Sequence, residues 1–437
     1  MKRGLLVAGF FSLLVLIASL RSLPRSRMLS GVSYNQIWWS DPSGRRDFEQ
    51  CSWWNDLQHA LPGVSNGYII VDCNGGLNQM RRDFCDGVGV ARLLNATLLL
   101  PQFEGTPYWN DSSGFSDIFD ADFFIETMKG YVRVVKELPP PYASKKTVLI
   151  DCQKKKLFDY VEAVLPVLLK EKVVIIRPAA SQRSDRYPLW AKASRCQACY
   201  KALRLVQRLE NTAQTVLDAI PRPFLALHLR FEPDMIAYSR CTYSNLSKAS
   251  LDAIEAARDN KAPFTGSLAE SWRNRGKCPL TPGEAAFVLQ ALRVPTTMPI
   301  YLASGSGLLE ETAFSRVYPN IYRKLAILGA DALKGLHGNS KAALDYYVAV
   351  HSDIYVATYF GNMDKMVVAM RAMHGSGKTL VLNRQAFATS VSSGLSGAEL
   401  AQRMWEVHSS SLFTGRNLPL PDCFCRSTGR TRTKNSD

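Results

Sequence analysis

Short apolar runs alternate with longer helical patterns through most of the chain, and this alternation predicts its architecture. The first run is YIIVDC, residues 68–73, which is followed by the glycine turn NGGLN. A helical pattern then covers 79–94, and a second apolar run, ATLLLP, ends at Pro101. A strand, a glycine turn, a helix and a second strand form the opening of a parallel α/β sheet.

The same alternation continues on both sides of a break at Pro221-Arg222-Pro223. Before the break it predicts strands at 148–151 and 172–177 and helices at 154–169 and 197–220. After it, the pattern predicts strands at 224–230, 299–304, 353–358 and 379–383, and helices at 281–292, 340–351 and 362–374. Two α/β units in succession predict two Rossmann-like lobes that face a central cleft, with ligands bound at the carboxyl ends of the strands.

The amino terminus carries an uncharged run, Gly4–Leu20, with basic residues on both flanks. Its length lies at the short end of the roughly 17–25 residues that cross a bilayer, and it also overlaps the range of signal peptides. No small-x-small cleavage site follows, so we expect an uncleaved signal anchor. The predicted segments are a cytosolic tail (1–3), a transmembrane anchor (4–20), a stem (21–63), two lobes (64–220 and 221–414) and a disordered basic tail (415–437).

Composition indicates a folded globular protein with an anionic partner. Apolar residues make up 46% of the chain, and 53 Lys and Arg against 38 Asp and Glu give a net charge of +15. The basic residues are scattered, so a nucleic-acid partner is not predicted. Ten cysteines fit an oxidising lumen. The lone pair Cys196-Gln-Ala-Cys199 favours structural disulfides over zinc, and sequons at Asn95, Asn110 and Asn245 are candidate glycosylation sites.

The stretch FLALHLRFEPD, residues 224–234, places two basic side chains at the end of a predicted core strand. His228 and Arg230 are two residues apart, so they share one face of that strand. The planar guanidinium of Arg230 suits a diphosphate and stays charged at any working pH. The alternative is that Arg230 pairs locally with Glu232 or Asp234.

Two predicted helix starts are candidate sites for the phosphates of a ligand. Gly75 and Gly76 allow the chain to turn tightly and approach a ligand, and the following helix offers unpaired N–H groups to negative charge. Asn78 could add a side-chain amide, although ordinary βα turns also use Gly-Gly. The second start, Gly361-Asn362, directly follows a predicted strand.

Asp345 is a candidate for recognition of the base, because a carboxylate can accept hydrogen bonds from the N–H groups of a guanine. The alternative for Asp345 is a helix cap or a surface charge. Asp120-Ala121-Asp122 has the DxD form of some metal-dependent sugar transferases, but its aromatic neighbours favour a packed helical turn. We therefore predict no metal site.

Five blocks of the sequence resemble, in order, the signature blocks of the plant O-fucosyltransferase-like family, over about residues 66–385. They are NGGLNQMRRDFCDGVGVARLLNATLLLPQF, YWNDSSGFSDIFDADFFI, LALHLRFEPDMIAYSRC, CPLTPGEAAFVLQAL and AALDYYVAVHSDIYVATYFGNMDK. The resemblance implies a two-lobed GT-B-like transferase in the Golgi membrane, single-pass and type II, with its catalytic body in the lumen. It also implies an inverting reaction that uses a nucleotide sugar and neither a metal nor another cofactor.

The resemblance also implies roles for individual residues. Arg230 is similar to the family arginine that holds the β-phosphate and stabilises the leaving nucleotide. His228 and Asp345 resemble the pair that contacts the nucleotide, and Asn78 resembles the asparagine beside the sugar. Gly361 and Asn362 depart from the pattern, since fucosyltransferases commonly carry hydroxyl residues there.

The expected function is inverting transfer of fucose from GDP-fucose to a hydroxyl of a protein or a cell-wall glycan. Two alternatives stay open. The first is transfer of rhamnose, from UDP-rhamnose, or of another sugar to a pectic glycan. The second is a catalytically silent lumenal protein that binds or assembles glycans. Neither the acceptor nor a general base can be assigned from the residues.

Overall fold

The computed structural model describes residues 48–55, 60–101, 111–144, 147–153, 158–178, 187–305, 307–375, 378–414 and 420–426. The predicted cytosolic tail and signal anchor lie outside these residues. Within them, no helix combines the length and the apolar character needed to cross a bilayer.

The described strands form three sheets. The first is parallel with the order β4-β3-β2-β6-β5, the second is parallel with the order β11-β10-β7-β8-β9, and the third is the antiparallel pair β1-β12. The strands are β1 (Phe48–Gln50), β2 (Tyr68–Val71), β3 (Thr97–Leu99), β4 (Arg133–Val135), β5 (Val148–Asp151), β6 (Val173–Arg177), β7 (Leu225–His228), β8 (Ile300–Ala303), β9 (Ile321–Tyr322), β10 (Ile354–Ala357), β11 (Lys378–Val381) and β12 (Phe424–Arg426).

Helices connect these strands. They are α1 (Leu77–Leu93), α2 (Phe115–Ile118), α3 (Ala121–Thr127), α4 (Pro140–Ala143), α5 (Tyr160–Ala163), α6 (Leu165–Glu171), α7 (Leu189–Gln197), α8 (Gln207–Asp218), α9 (Pro233–Ser239), α10 (Lys248–Ala256), α11 (Gly266–Asn274), α12 (Pro282–Ala291), α13 (Glu311–Ser315), α14 (Lys324–Lys334), α15 (Gly338–His351), α16 (Asn362–His374), α17 (Arg384–Ser392) and α18 (Gly397–Thr414). A 3-10 turn covers Ser52–Asn55, and a π-helical turn covers Ala198–Ala202.

The predicted α/β class with parallel sheets is confirmed. We call the part built on β2–β6 the first lobe and the part built on β7–β11 the second lobe. In the first lobe the direction of winding reverses between β2 and β6, and in the second lobe it reverses between β7 and β10. Ligands of doubly wound sheets bind outside the carboxyl ends of the strands at such a reversal. The topology therefore marks one candidate binding edge on each lobe.

The central strands are apolar because helices cover both faces of a parallel sheet. Leu225, Ala226 and Leu227 of β7 are fully buried, and all of β10 is buried. In the first lobe, α1 lies directly on β2 because Gly87 leaves room for Val71. A Cβ at Gly87 would lie 2.3 Å from Cγ2 of Val71, so this close packing fixes the helix that follows the glycine turn.

The carboxyl-terminal segment corrects one prediction. Residues 420–426 belong to the predicted disordered tail, yet β12 pairs with β1, and disulfides join Cys51 to Cys425 and Cys196 to Cys423. The prediction was wrong for these residues because composition does not show the cysteine pairing that holds them. Residues 427–437 lie outside the described part of the chain.

The other cysteines also settle an open alternative. Cys199 pairs with Cys85, so the two cysteines of the CxxC motif belong to different disulfides, and the zinc alternative is wrong. A fourth disulfide joins Cys241 to Cys278. Part of the predicted stem is packed on the first lobe, where the fully buried Trp54 donates its indole N–H to Gln197 at 3.1 Å.

Two predicted helices differ from the observed ones. The pattern predicts one helix over 197–220, but the chain ends α7 at Gln197, makes the π-helical turn and restarts as α8. Leu205, in the gap, forms a bridge with Phe119, and this pairing is invisible to helical periodicity. In the predicted helix 154–169 the described residues form α5 and α6, because Pro166 starts a new helix. The short strands β4 and β9 were not predicted.

The disulfides of the carboxyl-terminal segment give a first prediction. Replacing Cys423 and Cys425 together with Ser removes cross-links that span 374 and 227 residues. Each lost bridge should lower the free energy of unfolding by about 2–4 kcal/mol, measured by urea denaturation under oxidising conditions. The matched control is Cys152→Ala, which removes a buried thiol that forms no disulfide. An unfolding midpoint of the double variant equal to that of the control would contradict the prediction.

Candidate active site

The carboxyl edge of the second lobe is organised around the carboxylate of Asp364, which has no exposed surface. Oδ1 lies 2.7 Å from Nδ1 of His228 and accepts the hydroxyl of Tyr355 at 2.7 Å, and Oδ2 accepts the N–H of Gly361 at 2.7 Å. These donors come from β7, β10 and the start of α16. One buried charge therefore holds together the three elements that meet where the sheet reverses.

His228 lies where the sequence predicted it, as the last residue of β7. Its Nδ1 faces Asp364, and Nε2 has no partner among the described residues. Burial opposes the charged ring, but the carboxylate of Asp364, supported by Glu232, outweighs it and raises the pKa of His228 above its ordinary value. The imidazole is therefore biased toward the cationic form, which favours an anionic ligand at this edge.

Arg230 follows β7 by two residues and is partly buried, with 24% of its side chain exposed. Nη1 donates to Oε2 of Glu232 at 2.6 Å, and Nη2 donates to Oδ2 of Asp234 at 2.6 Å. The local pairing that the sequence left open is therefore present, at the edge where a ligand is expected. Burial lowers the pKa of Arg230, but the two carboxylates raise it by more than burial lowers it. The net pKa lies above its ordinary value, so the guanidinium is fully charged.

Asp345 is buried inside the second lobe, which excludes the surface-charge alternative. Oδ1 accepts the hydroxyl of Tyr301 at 2.7 Å, and Oδ2 accepts Nζ of Lys324 at 2.5 Å. Each carboxylate oxygen has a second lone pair. The carboxylate is fixed by two partners and can still accept a further N–H donor.

In the first lobe, the glycine turn joins β2 to α1. Gly75 has a φ of +96°, and a Cβ there would lie 2.7 Å from Oε1 of Gln79, so this position requires glycine. Gly76 is the residue that precedes the helix. Asn78 is only 7% exposed, and its Oδ1 is buried without a hydrogen-bond partner among the described residues.

Side chains of α1 bring the two lobes into contact. Nη1 of Arg82 donates to Oδ1 of Asn362 at 3.1 Å, and the guanidinium of Arg81 lies 4.8 Å from the ring centroid of Tyr346 in α15. Arg82 is also held by Asp83, and burial raises the pKa of Asp83 to about 6 although Arg82 opposes the shift. The glycine turn of the first lobe and the start of α16 therefore lie on facing edges.

The contact of Arg82 with Asn362 places the helix that follows the glycine turn beside the ligand edge of the second lobe. Gly75, Gly76 and Asn78 lie on one side, and the residues of the second lobe lie on the other, namely His228, Arg230, Gly361 and Asn362. Asp345 is buried and hydrogen-bonded to Tyr301 of β8. Sequence reasoning missed Arg82 and Asp364. The spacing of Gly361 and Asp364, which is that of a capping box, could have indicated the latter.

The three candidate glycosylation sites and the DxD motif are the remaining positions that the sequence predicted. Asn245 is exposed, whereas Asn95 is partly buried, with its amide donating to the carbonyl of Val64 at 2.8 Å. Asn110 lies outside the described residues. Asp120 caps α3 by accepting the N–H of Phe123 and pairs with Arg204. Among the residues that the structure describes, no group of three or more His, Cys, Asp or Glu could hold a metal ion.

Comparison with known protein families identifies the family of this chain. The model of the family described as GDP-fucose protein O-fucosyltransferase matches residues 68–374. The chain belongs to this family. The GDP-fucose protein O-fucosyltransferases are glycosyltransferases, so the family predicted from the five sequence blocks and the predicted enzyme class are both confirmed.

Curated relatives agree with the family assignment. O-fucosyltransferase 13 of Arabidopsis thaliana is 54% identical over 426 residues, which cover 95% of this chain and 96% of that protein. Rhamnogalacturonan I rhamnosyltransferase 1 of the same plant is 35% identical over 366 residues, covering 80% and 71%. A crystal structure of POFUT1 in complex with GDP-fucose aligns with a TM-score of 0.44 at 16% identity, covering 73% of this chain and 99% of that one.

The pairing of His228 with Asp364 predicts a specific pH dependence of stability. Because the folded-state pKa of His228 is raised, its stabilising contribution is complete below the ordinary value of about 6.5 and is lost as the pH rises through the folded-state pKa. His228→Gln should therefore lower the free energy of unfolding by roughly 1.5–3 kcal/mol near pH 6, and by less near pH 9. Urea denaturation at both pH values measures the difference.

His351→Gln is the matched control, because burial lowers the pKa of His351. The contribution of His351 is present above about pH 6.5 and is lost as the pH falls through its folded-state pKa, so this variant should show the opposite trend. Equal destabilisation of His228→Gln at the two pH values would show that the ion pair with Asp364 does not contribute.

Proposed function

We propose that this protein transfers fucose from GDP-fucose to a hydroxyl group of a protein or cell-wall glycan, with inversion and without a bound metal. Family membership and the 54% identity to O-fucosyltransferase 13 over nearly the whole chain support this choice of sugar. The observation that carries the proposal is the contact between Arg82 and Asn362. It sets the glycine turn of the first lobe against the ligand edge of the second, as a GT-B-like cleft requires.

The second lobe offers the groups that a nucleotide sugar needs. The carboxylate of Asp345 is an acceptor for the N–H groups of a guanine. The start of α16 presents unpaired backbone N–H groups to the diphosphate, and His228 and Arg230 lie at the same edge. Asn78, from the other lobe, supplies a buried amide oxygen that can accept a hydroxyl of the sugar.

Departure of the nucleoside diphosphate develops negative charge, which fixed donors can stabilise without reorganising. In this proposal Arg230 is the main electrostatic group, and Glu232 and Asp234 hold its guanidinium in position. A single displacement needs the acceptor hydroxyl on the face of the sugar opposite to the diphosphate. The first lobe, which faces the ligand edge of the second, is the side from which it would attack.

We further propose that Gly4–Leu20 anchors the protein in the Golgi membrane as a single-pass type II protein with its catalytic body in the lumen. The uncharged run in the sequence supports the anchor. Four disulfides among the described residues support an oxidising compartment.

Transfer of rhamnose from UDP-rhamnose to a pectic glycan is the second candidate. The 35% identity to rhamnogalacturonan I rhamnosyltransferase 1 over 80% of the chain favours it. Both candidates use a nucleoside diphosphate sugar, so they differ in the base and the sugar, while the phosphates stay the same.

Nucleotide binding separates the two candidates. A ligand that binds only the native state raises the melting temperature. We expect GDP to raise it, and UDP at the same concentration to have no effect, in a thermal-shift measurement on the purified full-length protein. The reverse order would favour the rhamnosyl alternative, and no response to either nucleotide would contradict both.

Arg230→Gln should lower the rate of GDP release from GDP-fucose by about 10²–10³, because it removes a fixed donor for the leaving diphosphate. The matched control is Arg222→Gln. Arg222 also pairs with a carboxylate, Asp353, but at the amino end of the same sheet. Its variant should keep near-normal turnover. Wild-type rates for a folded Arg230→Gln protein, checked by its melting curve, would refute the role of Arg230.

A further inference from the structure

Arg384 is an arginine at the ligand edge to which neither the sequence nor the family comparison assigns a role. It is the first residue of α17 and follows β11, the neighbour of β10 in the second sheet. Its guanidinium lies 3.9 Å from the ring centroid of Tyr359. Tyr359 lies between β10 and the start of α16, so Arg384 flanks the loop that ends at Gly361 and Asn362.

The charge of Arg384 is not compensated as that of Arg230 is. Arg230 has two carboxylate partners, whereas no ion pair joins Arg384 to a carboxylate in the part of the chain that the structure describes. Its Nη1 is buried without a hydrogen-bond partner among those residues. Burial accordingly lowers the pKa of Arg384, although Tyr359 and more distant groups oppose the shift.

A buried guanidinium N–H without an acceptor is unfavourable, and a charged group costs more than a neutral one. The nearest buried carboxylate at this edge, Asp364, already accepts bonds from His228, Tyr355 and Gly361. It forms no ion pair with Arg384 among the described residues. An anion supplied by a ligand would provide the missing acceptor for Nη1.

The charges around Arg230 also indicate that a second cation is needed at this edge. Arg230 together with Glu232 and Asp234 carries a net charge of −1, so Arg230 holds a doubly charged ligand better with a second cation nearby. The amide oxygen of Asn362 faces Arg82, which leaves the backbone N–H groups of α16 as the donors there. Further positive charge is needed beside this loop, and Arg384 supplies it.

We propose that Arg384 binds the diphosphate of the nucleotide donor, from the side of the loop that faces β11, while Arg230 lies on the side that faces β7. This inference rests on the proposed function, since it takes the ligand to be a nucleoside diphosphate. Arg384 contributes a planar fork of donors, which suits phosphate oxygens. Its stacking on Tyr359 holds the fork in place before the ligand arrives.

The test measures dissociation constants for GDP, inorganic pyrophosphate and guanosine by calorimetry on the purified full-length protein. Arg384→Gln should weaken binding of GDP and pyrophosphate by roughly 10–100-fold, the range for a charge-assisted hydrogen bond, and leave guanosine unchanged. Arg384→Lys keeps the positive charge but not the planar fork of donors. It should therefore weaken binding of GDP and pyrophosphate less than Arg384→Gln does. The matched control is Arg240→Gln, because Arg240 stacks on Phe264 at 4.1 Å in the same manner but contacts the segment before α11.

The outcomes separate this inference from the proposed function. Equal losses for guanosine and GDP, or unchanged binding of pyrophosphate, would overturn the assignment of Arg384. If the wild type binds pyrophosphate but neither GDP nor UDP, the proposed function fails, and a loss of pyrophosphate binding in Arg384→Gln still supports the anion site. If Arg384→Gln does not fold, the Arg384→Lys variant decides by the same comparison.

Discussion

The ligand edge of the second lobe depends on one buried carboxylate, that of Asp364. A carboxylate without solvent is tolerated only when its lone pairs are satisfied, and here a histidine, a tyrosine hydroxyl and a backbone N–H satisfy them. Because the donors come from β7, β10 and the start of α16, the energy that stabilises the charge also fixes the relative positions of these elements. The loop that carries Gly361 and Asn362 cannot move without exposing or unpairing Asp364.

This rigidity has a consequence for the first lobe. Asn362 is the first residue of α16, and it is the point that Arg82 reaches from α1. The glycine turn before α1 is held in turn by the packing of Gly87 on Val71. These two βα units meet through the hydrogen bond of Arg82 with Asn362 and the stacking of Arg81 on Tyr346, and buried apolar residues of both lobes pack in one continuous core. The start of α16 and the helix that follows the glycine turn are therefore held in a fixed relation.

The sequence was sufficient for the parts of the fold that local pattern determines. The strand predicted at 353–358 is observed as β10, and the helix predicted at 362–374 is observed with those bounds, because a buried parallel strand is an apolar run that ends at a turn. β4 and β9 were missed because they are short and partly exposed. The ordered structure of residues 420–426 was not predicted, because their disulfide partners are 227 and 374 residues away in the sequence.

The residues of the candidate site also fall into those that the sequence could predict and those that it could not. His228 and Arg230 could be predicted, since a cationic pair at the end of an apolar strand is anomalous in the sequence itself. Arg82 and Arg384 could not, because their importance depends on what lies beside them in three dimensions. Arg82 is one of two adjacent arginines in an ordinary helix, and Arg384 is an ordinary first residue of another.

The return of the chain to the first lobe ties its carboxyl-terminal segment to the amino-terminal half of the fold. The chain passes from the first lobe to the second near Pro221, and it comes back after α18 to reach β12 and its two disulfides. Asp422, in this segment, pairs with the buried Arg195 of α7 at 3.1 Å. Both ends of the described chain are therefore fixed to the first lobe, and the second lobe lies between them in the sequence.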